Sequence, residues 1–191
     1  AALEKSGAVR IDFRELMKAL LYSCYQSCDG RERIDRIYSH ISEYNDINIT
    51  GILSYGPDEL QGTDEFMTEW RSFLMNRKDE AACGLLKEAC MYIGGEELLF
   101  ETAGKKAGDF PELYADYCRM MYDSEQYDRC IEAAKEAISR IESSSPVCST
   151  VSDLAIKAGE DRPHLIKNFC FSAFCGRPDM FNLLRLFAAG D

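Results

Sequence analysis

Residues 109–141 read DFPELYADYCRMMYDSEQYDRCIEAAKEAISRI, and the spacing of their apolar positions predicts a pair of helices joined by a short turn. Tyr114, Tyr117, Cys118 and Met121 recur at offsets that place them on one helical face. Asp109 stands where an N-cap belongs, Pro111 falls in the first turn, where a missing N–H costs nothing, and Glu112 takes the capping-box position. Asp123 or Ser124 restarts the chain with Gln126 as box partner. Tyr127, Cys130, Ile131, Ala134, Ala137, Ile138 and Ile141 then form a second stripe. Amphipathic helices this close in sequence fold back on each other, so the segment predicts an antiparallel hairpin.

The same grammar extends outward. Ser145 and Pro146 mark the start of VCSTVSDLAIKAG, which Gly159 ends, with the left-handed conformation expected there. Asp161 and Pro163 open PHLIKNFCFSAFCG, Gly176 closes it, and Pro178 leads into DMFNLLRLFAA. Upstream, Asp12 and Glu15 form a capping box around Phe13, ahead of a stripe continued by Leu16, Met17, Leu20, Leu21 and Cys24. A helix from about Arg31 to Tyr44 follows the Asp29-Gly30 turn. Asp64 to Met75 is expected to be helical with Phe66, Met67, Trp70, Phe73 and Leu74 inward, which makes the single tryptophan a core residue. Helices over 80–93 and, after Gly94-Gly95, 97–106 complete the set. Residues 45–62, NDINITGILSYGPDELQG, read as an irregular connection able to hide a short strand or helix.

The 109–141 hairpin resembles a tetratricopeptide unit, whose period is about 34 residues. Tyr114 takes the position usual for tryptophan, Cys118 and Cys130 the small-residue positions, and Ala137 the later alanine. Cys118 replaces the usual glycine, and the terminating proline is displaced to Pro146, behind Ser143-Ser144-Ser145. The resemblance implies an all-α fold of antiparallel hairpins stacked as an irregular, right-handed helical array. The whole chain is then one helical-repeat domain: a hairpin and irregular connection over 1–62, middle helices over 63–108 and repeat-like pairs over 109–191. It also implies a concave groove that takes a protein or peptide segment, with Ala115, Arg119 and Tyr122 facing it. CFSAFCGRPDMFNLLRLF, residues 170–187, is similar to the helical region that follows the zinc-binding SWIM motif in some bacterial proteins. The Cys/His motif itself is absent from this chain, so the binding functions attached to it are not implied.

Composition narrows the classes. The 191 residues are 46% hydrophobic and carry 22 Lys and Arg against 33 Asp and Glu, a formal charge of −11 shared evenly between the halves. No basic stripe is segregated for phosphates, so neither nucleic acid nor an anionic membrane surface is an expected partner. No apolar run is long enough to span a bilayer and the N-terminus lacks a basic-then-apolar signal pattern, so the expectation is a soluble domain, and cysteines used as small buried hydrophobes make the expected compartment the reducing cytoplasm. The start at Ala1-Ala2 suggests a piece of a longer protein. The last helix, with Met180, Phe181, Leu183, Leu184, Leu186 and Phe187, has more apolar surface than one neighbour can cover. Further chain packs there, or the domain self-associates as a homo-oligomer through this helix.

Candidate chemistry is sparse. Nine cysteines, an odd number set mostly in helical stripes, argue against a disulfide framework and for small buried hydrophobes. Cys24/Cys28 and Cys170/Cys175 are the closest pairs and carry the alternative reading, a cysteine-based metal-binding or redox-responsive domain. His40 and His164 are the only histidines. His164 lies six residues before Cys170, which puts them on different helical faces and denies a nucleophilic dyad. Glu96/Glu97, Asp58/Glu59 and Asp64/Glu65 sit at helix starts or turns, where negative charge is favoured anyway. Asn48-Ile49-Thr50 matches a glycosylation sequon by chance. The expected protein has no catalytic residue, no metal site and no cofactor.

Overall fold

The computed structural model describes residues 12–44, 47–56, 60–160 and 162–190, without the side chains of 163–165. The described residues are helical, with no strand among them: α1 (Phe13–Ser27), α2 (Gly30–Ile41), α3 (Ile49–Leu53), α4 (Thr63–Leu74), α5 (Glu80–Lys106), α6 (Glu112–Asp123), α7 (Tyr127–Arg140), α8 (Pro146–Ala158), α9 (Pro163–Gly176) and α10 (Met180–Ala188). They fall into two compact units, Ala1–Ile93 and Gly94–Asp191. The chain passes between them inside α5, where Gly95 has φ 63° and ψ −150°, a conformation open only to glycine. The helices expected over 80–93 and 97–106 are therefore the two sides of this break.

An aromatic core holds the first unit. Trp70 is fully buried, stacked between Phe66 and Phe73 at 5.8 Å each, with Tyr38 edge-on at 5.9 Å and Tyr25 against Phe66 at 5.0 Å. Arg33 lies 4.2 Å over the Tyr25 ring, and Arg31 and Arg77 lie over Phe73, so guanidinium planes rather than loops cover the cluster edge. In α1 the buried positions are Met17, Leu21, Cys24 and Tyr25. Phe13, Leu16 and Leu20, expected in the same stripe, are 50%, 52% and 41% exposed, because the stripe is wider than the face that α2 and α3 cover.

The connection read as irregular contains α3. Asn48 caps it by accepting from Gly51 N at 2.9 Å, and Thr50 is engaged by Glu88, so the sequon residues are helix-start chemistry. Residues 45, 46 and 57–59, including Asp58 and Glu59, lie outside the described residues.

In the second unit α6 packs against both α7 and α8, α7 against α8, α8 most extensively against α9, and α9 against α10. Tyr114, Tyr117, Cys118 and Met121 are buried on α6, as are Cys130, Ile131, Ala134 and Ala137 on α7. At the crossing the Cys118 thiol points at the Cys130 carbonyl, Sγ to O 3.8 Å. Gly176 enables the α8/α9 approach: a Cβ there would lie 2.6 Å from Ser145 O and 2.8 Å from Ser149 N.

Several helix starts differ from expectation. Asp12 caps α1 through Arg14 N, but Glu15 pairs with Lys18 instead of closing a box. Asp109 does not cap α6, whose N-cap is Pro111; it pairs with Lys106 in the last turn of α5, a cation more attractive to it than a backbone amide. Ser124 ends α6, and Gln126, preceding α7, offers its side chain to Arg129 and caps nothing. Tyr127 is 41% exposed, resting on Tyr122 at 5.6 Å. Gly159 ends α8 at φ −111°, not in the left-handed region. Asp161 lies outside the described residues.

Helix α10 sits with its polar side inward. Asp179 caps it through Asn182 N at 2.8 Å, and that amide bond holds the Asp179 carboxyl below the usual carboxylate range. Asn182 is buried and donates to Arg177 O at 2.9 Å; Arg185 reaches back to Asp153 on α8 at 2.5 Å. The opposite face is apolar and exposed.

Candidate functional site

Ala115, Arg119 and Tyr122 lie on one face of α6, as their spacing requires. Ala115 and Tyr122 are half-buried and Arg119 is exposed. Among the described residues Arg119 is the one arginine with no hydrogen bond, ion pair or ring contact. Asp116 and Asp123 lie on the same helix, and Arg119 pairs with neither. Tyr122 is steadied by Tyr127, which gives the face a fixed aromatic edge beside a free guanidinium.

Elsewhere in the second unit, Arg129 and Tyr114 are committed to partners. Arg129 gathers Glu96, Glu97 at 2.6 Å, Gln126 at 2.8 Å and the Tyr117 hydroxyl at 2.8 Å, so the acidic pair after Gly95 is half compensated and held at the start of its helix. Tyr114 donates to Glu136 at 2.9 Å; burial first and that bond second raise its pKa.

In the first unit a cleft of about 630 Å³ is lined by Ala81, Gly84, Leu85 and Met91 on one face of α5 and by Tyr44 and Ile47 opposite. No atom lies within 4 Å of where a Gly84 Cβ would be, so the helix backbone is open to the cleft. Glu88 lines it too, but both its oxygens are occupied: Oε2 accepts from Ile49 N at 2.8 Å, and Oε1 from Thr50 N at 2.7 Å and Thr50 Oγ1 at 2.6 Å. A carboxylate so engaged anchors α3, with three of its roughly four acceptor sites in use. Sequence reasoning missed this cleft; its one signal was the small residues Ala81 and Gly84 on an otherwise apolar helix face.

The cysteines are all free, with Cys83 and Cys175 half-buried and the others buried. Burial pushes the Cys24 and Cys170 thiols up, away from the thiolate that metal binding and exchange chemistry require. Among the described residues no group of three or more His, Cys, Asp and Glu could hold a metal ion. The His164 side chain lies outside the described residues. No helix among the described residues is long and apolar enough to cross a membrane. Comparison with protein-family models, curated proteins and solved structures gives no match to this chain.

Proposed function

We propose that this chain is a non-catalytic helical-repeat scaffold, its hairpins stacked in a tetratricopeptide-like array, that binds a protein segment across the Ala115–Arg119–Tyr122 face of α6. The observation that carries the reading is Arg119, exposed and unpaired among the described residues of a chain with formal charge −11, where every other described arginine has a partner. A guanidinium left free amid excess acid suits a carboxylate or carbonyl brought by a partner, with Ala115 leaving room for its backbone and Tyr122 an apolar edge for a side chain. The packing of α6 on both α7 and α8 supports the array, since the first helix of a repeat touches its own second helix and the next first helix. Buried free thiols suit a reducing cytoplasm.

The cleft beside Gly84 is the alternative seat for the same class of partner, favoured by its concavity and open helix backbone. Selection of a displayed peptide library on the immobilised chain separates the two. Enriched peptides whose binding falls at least about tenfold with Arg119→Glu or Tyr122→Ala, a loss typical of an anchor contact, support the α6 face. Peptides lost with Gly84→Leu and indifferent to Arg119→Glu move the site to the cleft. A library that yields no binder to either face removes the proposal.

A further inference from the structure

Helix α10 points the wrong side outward for a chain that keeps to itself. Met180, Phe181, Leu184 and Phe187 are 69%, 62%, 60% and 68% exposed, while Asn182 is buried. The inward polar groups are fully used: Asn182 bonds Arg177 O, Arg185 bonds Asp153, and Asp179 caps the first turn. Rolling the helix to hide its apolar face would strand these groups, so its orientation is fixed. Arg185 also lies 5.1 Å over the Phe181 ring and holds that side chain in place from behind.

We propose that this face is a homodimer interface occupied by α10 of a second copy. The exposed apolar positions, 180, 181, 184, 187 and 188, are symmetric about Leu184. An antiparallel pairing with its two-fold axis at Leu184 therefore sets Met180 and Phe181 of one copy against Phe187 and Ala188 of the other, apolar against apolar along the seam. No charged side chain lies on this face, so the repulsion between two chains of charge −11 is not concentrated at the contact. Antiparallel helices also bring each N-terminus beside the other's C-terminus, the favourable arrangement of their dipoles. Four large side chains offer roughly 500 Å² per copy and roughly 1,000 Å² for the pair, the lower bound of specific interfaces. The size fits a dimer that forms and dissociates with concentration. This interface is separate from the Arg119 face and stands or falls independently of it.

Sedimentation of the 191-residue chain from about 1 to 500 μM, the range that brackets micromolar association, tests the inference. The expected result is a monomer–dimer equilibrium, weakened at least about tenfold by Leu184→Glu, a charge at the desolvated centre of an interface. The melting temperature at low concentration stays unchanged, because Leu184 is exposed in the monomer. Ala188→Glu, which removes no large side chain, weakens the dimer as well and covers the case in which Leu184→Glu misfolds by circular dichroism. A monomer at every concentration overturns the proposal. So does a dimer indifferent to both variants, or an open-ended assembly in place of a closed pair.

Discussion

Individual side chains carry unequal weight in this molecule, and a pair of them show why. Cys118 is small because α6 and α7 cross at its thiol, 3.8 Å from the Cys130 carbonyl; its interaction with the neighbouring Cys130 thiol, and then burial, push its pKa up. Cys118→Ala should be nearly neutral, while Cys118→Leu should cost about 1–3 kcal/mol by overpacking. Urea unfolding measures both, and an unperturbed leucine variant would place Cys118 off the crossing. Glu88 works across sequence distance: its carboxylate supplies the backbone N–H groups of Ile49 and Thr50 with acceptors. Glu88→Ala should cost about 2–3 kcal/mol, the scale of hydrogen bonds to a charged group, and Glu88→Gln less, since one oxygen remains. Loss of protection at Ile49 and Thr50 in hydrogen exchange is the accompanying sign. An alanine variant with wild-type stability would mean that water replaces the carboxylate.

At the scale of elements, glycines separate close contact from open surface. Gly176→Ala drives a methyl into Ser145 O and Ser149 N, backbone atoms that cannot swing aside, and should cost about 1–3 kcal/mol despite alanine's better helix propensity. Gly84→Ala meets nothing within 4 Å and should gain up to about 1 kcal/mol from propensity alone. Thermal melts that move both variants the same way would contradict this contrast. The helices themselves were legible in the sequence because a 3.6-residue period is a property of each segment on its own, as the buried Phe66, Met67, Trp70, Phe73 and Leu74 of α4 show. What stayed illegible depends on partners elsewhere in the chain. The carboxylate serving α3 comes from Glu88, and Asp109 left its expected cap for Lys106. Periodicity likewise marked an apolar side on α10 without telling whether it faces in or out, since that was decided by Asp153 on another helix. The Arg119 face was named in advance only as an implication of the tetratricopeptide resemblance, and the absence of a partner for Arg119 among the described residues was visible only in three dimensions.

At the scale of the whole molecule, each unit holds a buried tyrosine bonded to a carboxylate: Tyr38 to Asp79 in the first, Tyr114 to Glu136 in the second. Burial, then the bond to the neighbouring carboxylate, raises both above the ordinary tyrosine value of 10.0. Below that value folded and unfolded chains hold the same tyrosine protons and these groups add no pH dependence. Above it the unfolded chain releases protons that the folded chain keeps, so stability falls as pH rises. Melting temperatures measured from about pH 8 to 11 should drop beyond the unperturbed tyrosine value, and the drop should be shallower in Tyr38→Phe and Tyr114→Phe. A wild-type profile no steeper than that of the double variant would assign the alkaline loss to other groups. Misfolding, too, takes a specific form here. Turning Met180, Phe181, Leu184 and Phe187 inward would remove more apolar surface from water than the native pose of α10 does, so a collapsing chain has a rival arrangement with this helix rolled by half a turn. Only the hydrogen bonds to Arg177 and Asp153 tell the two apart. A drift from Asn182 to alanine would remove the first of these bonds and leave the pairing of Arg185 with Asp153 alone to hold the native pose, and its signature would be a growing minor pose at unchanged compactness.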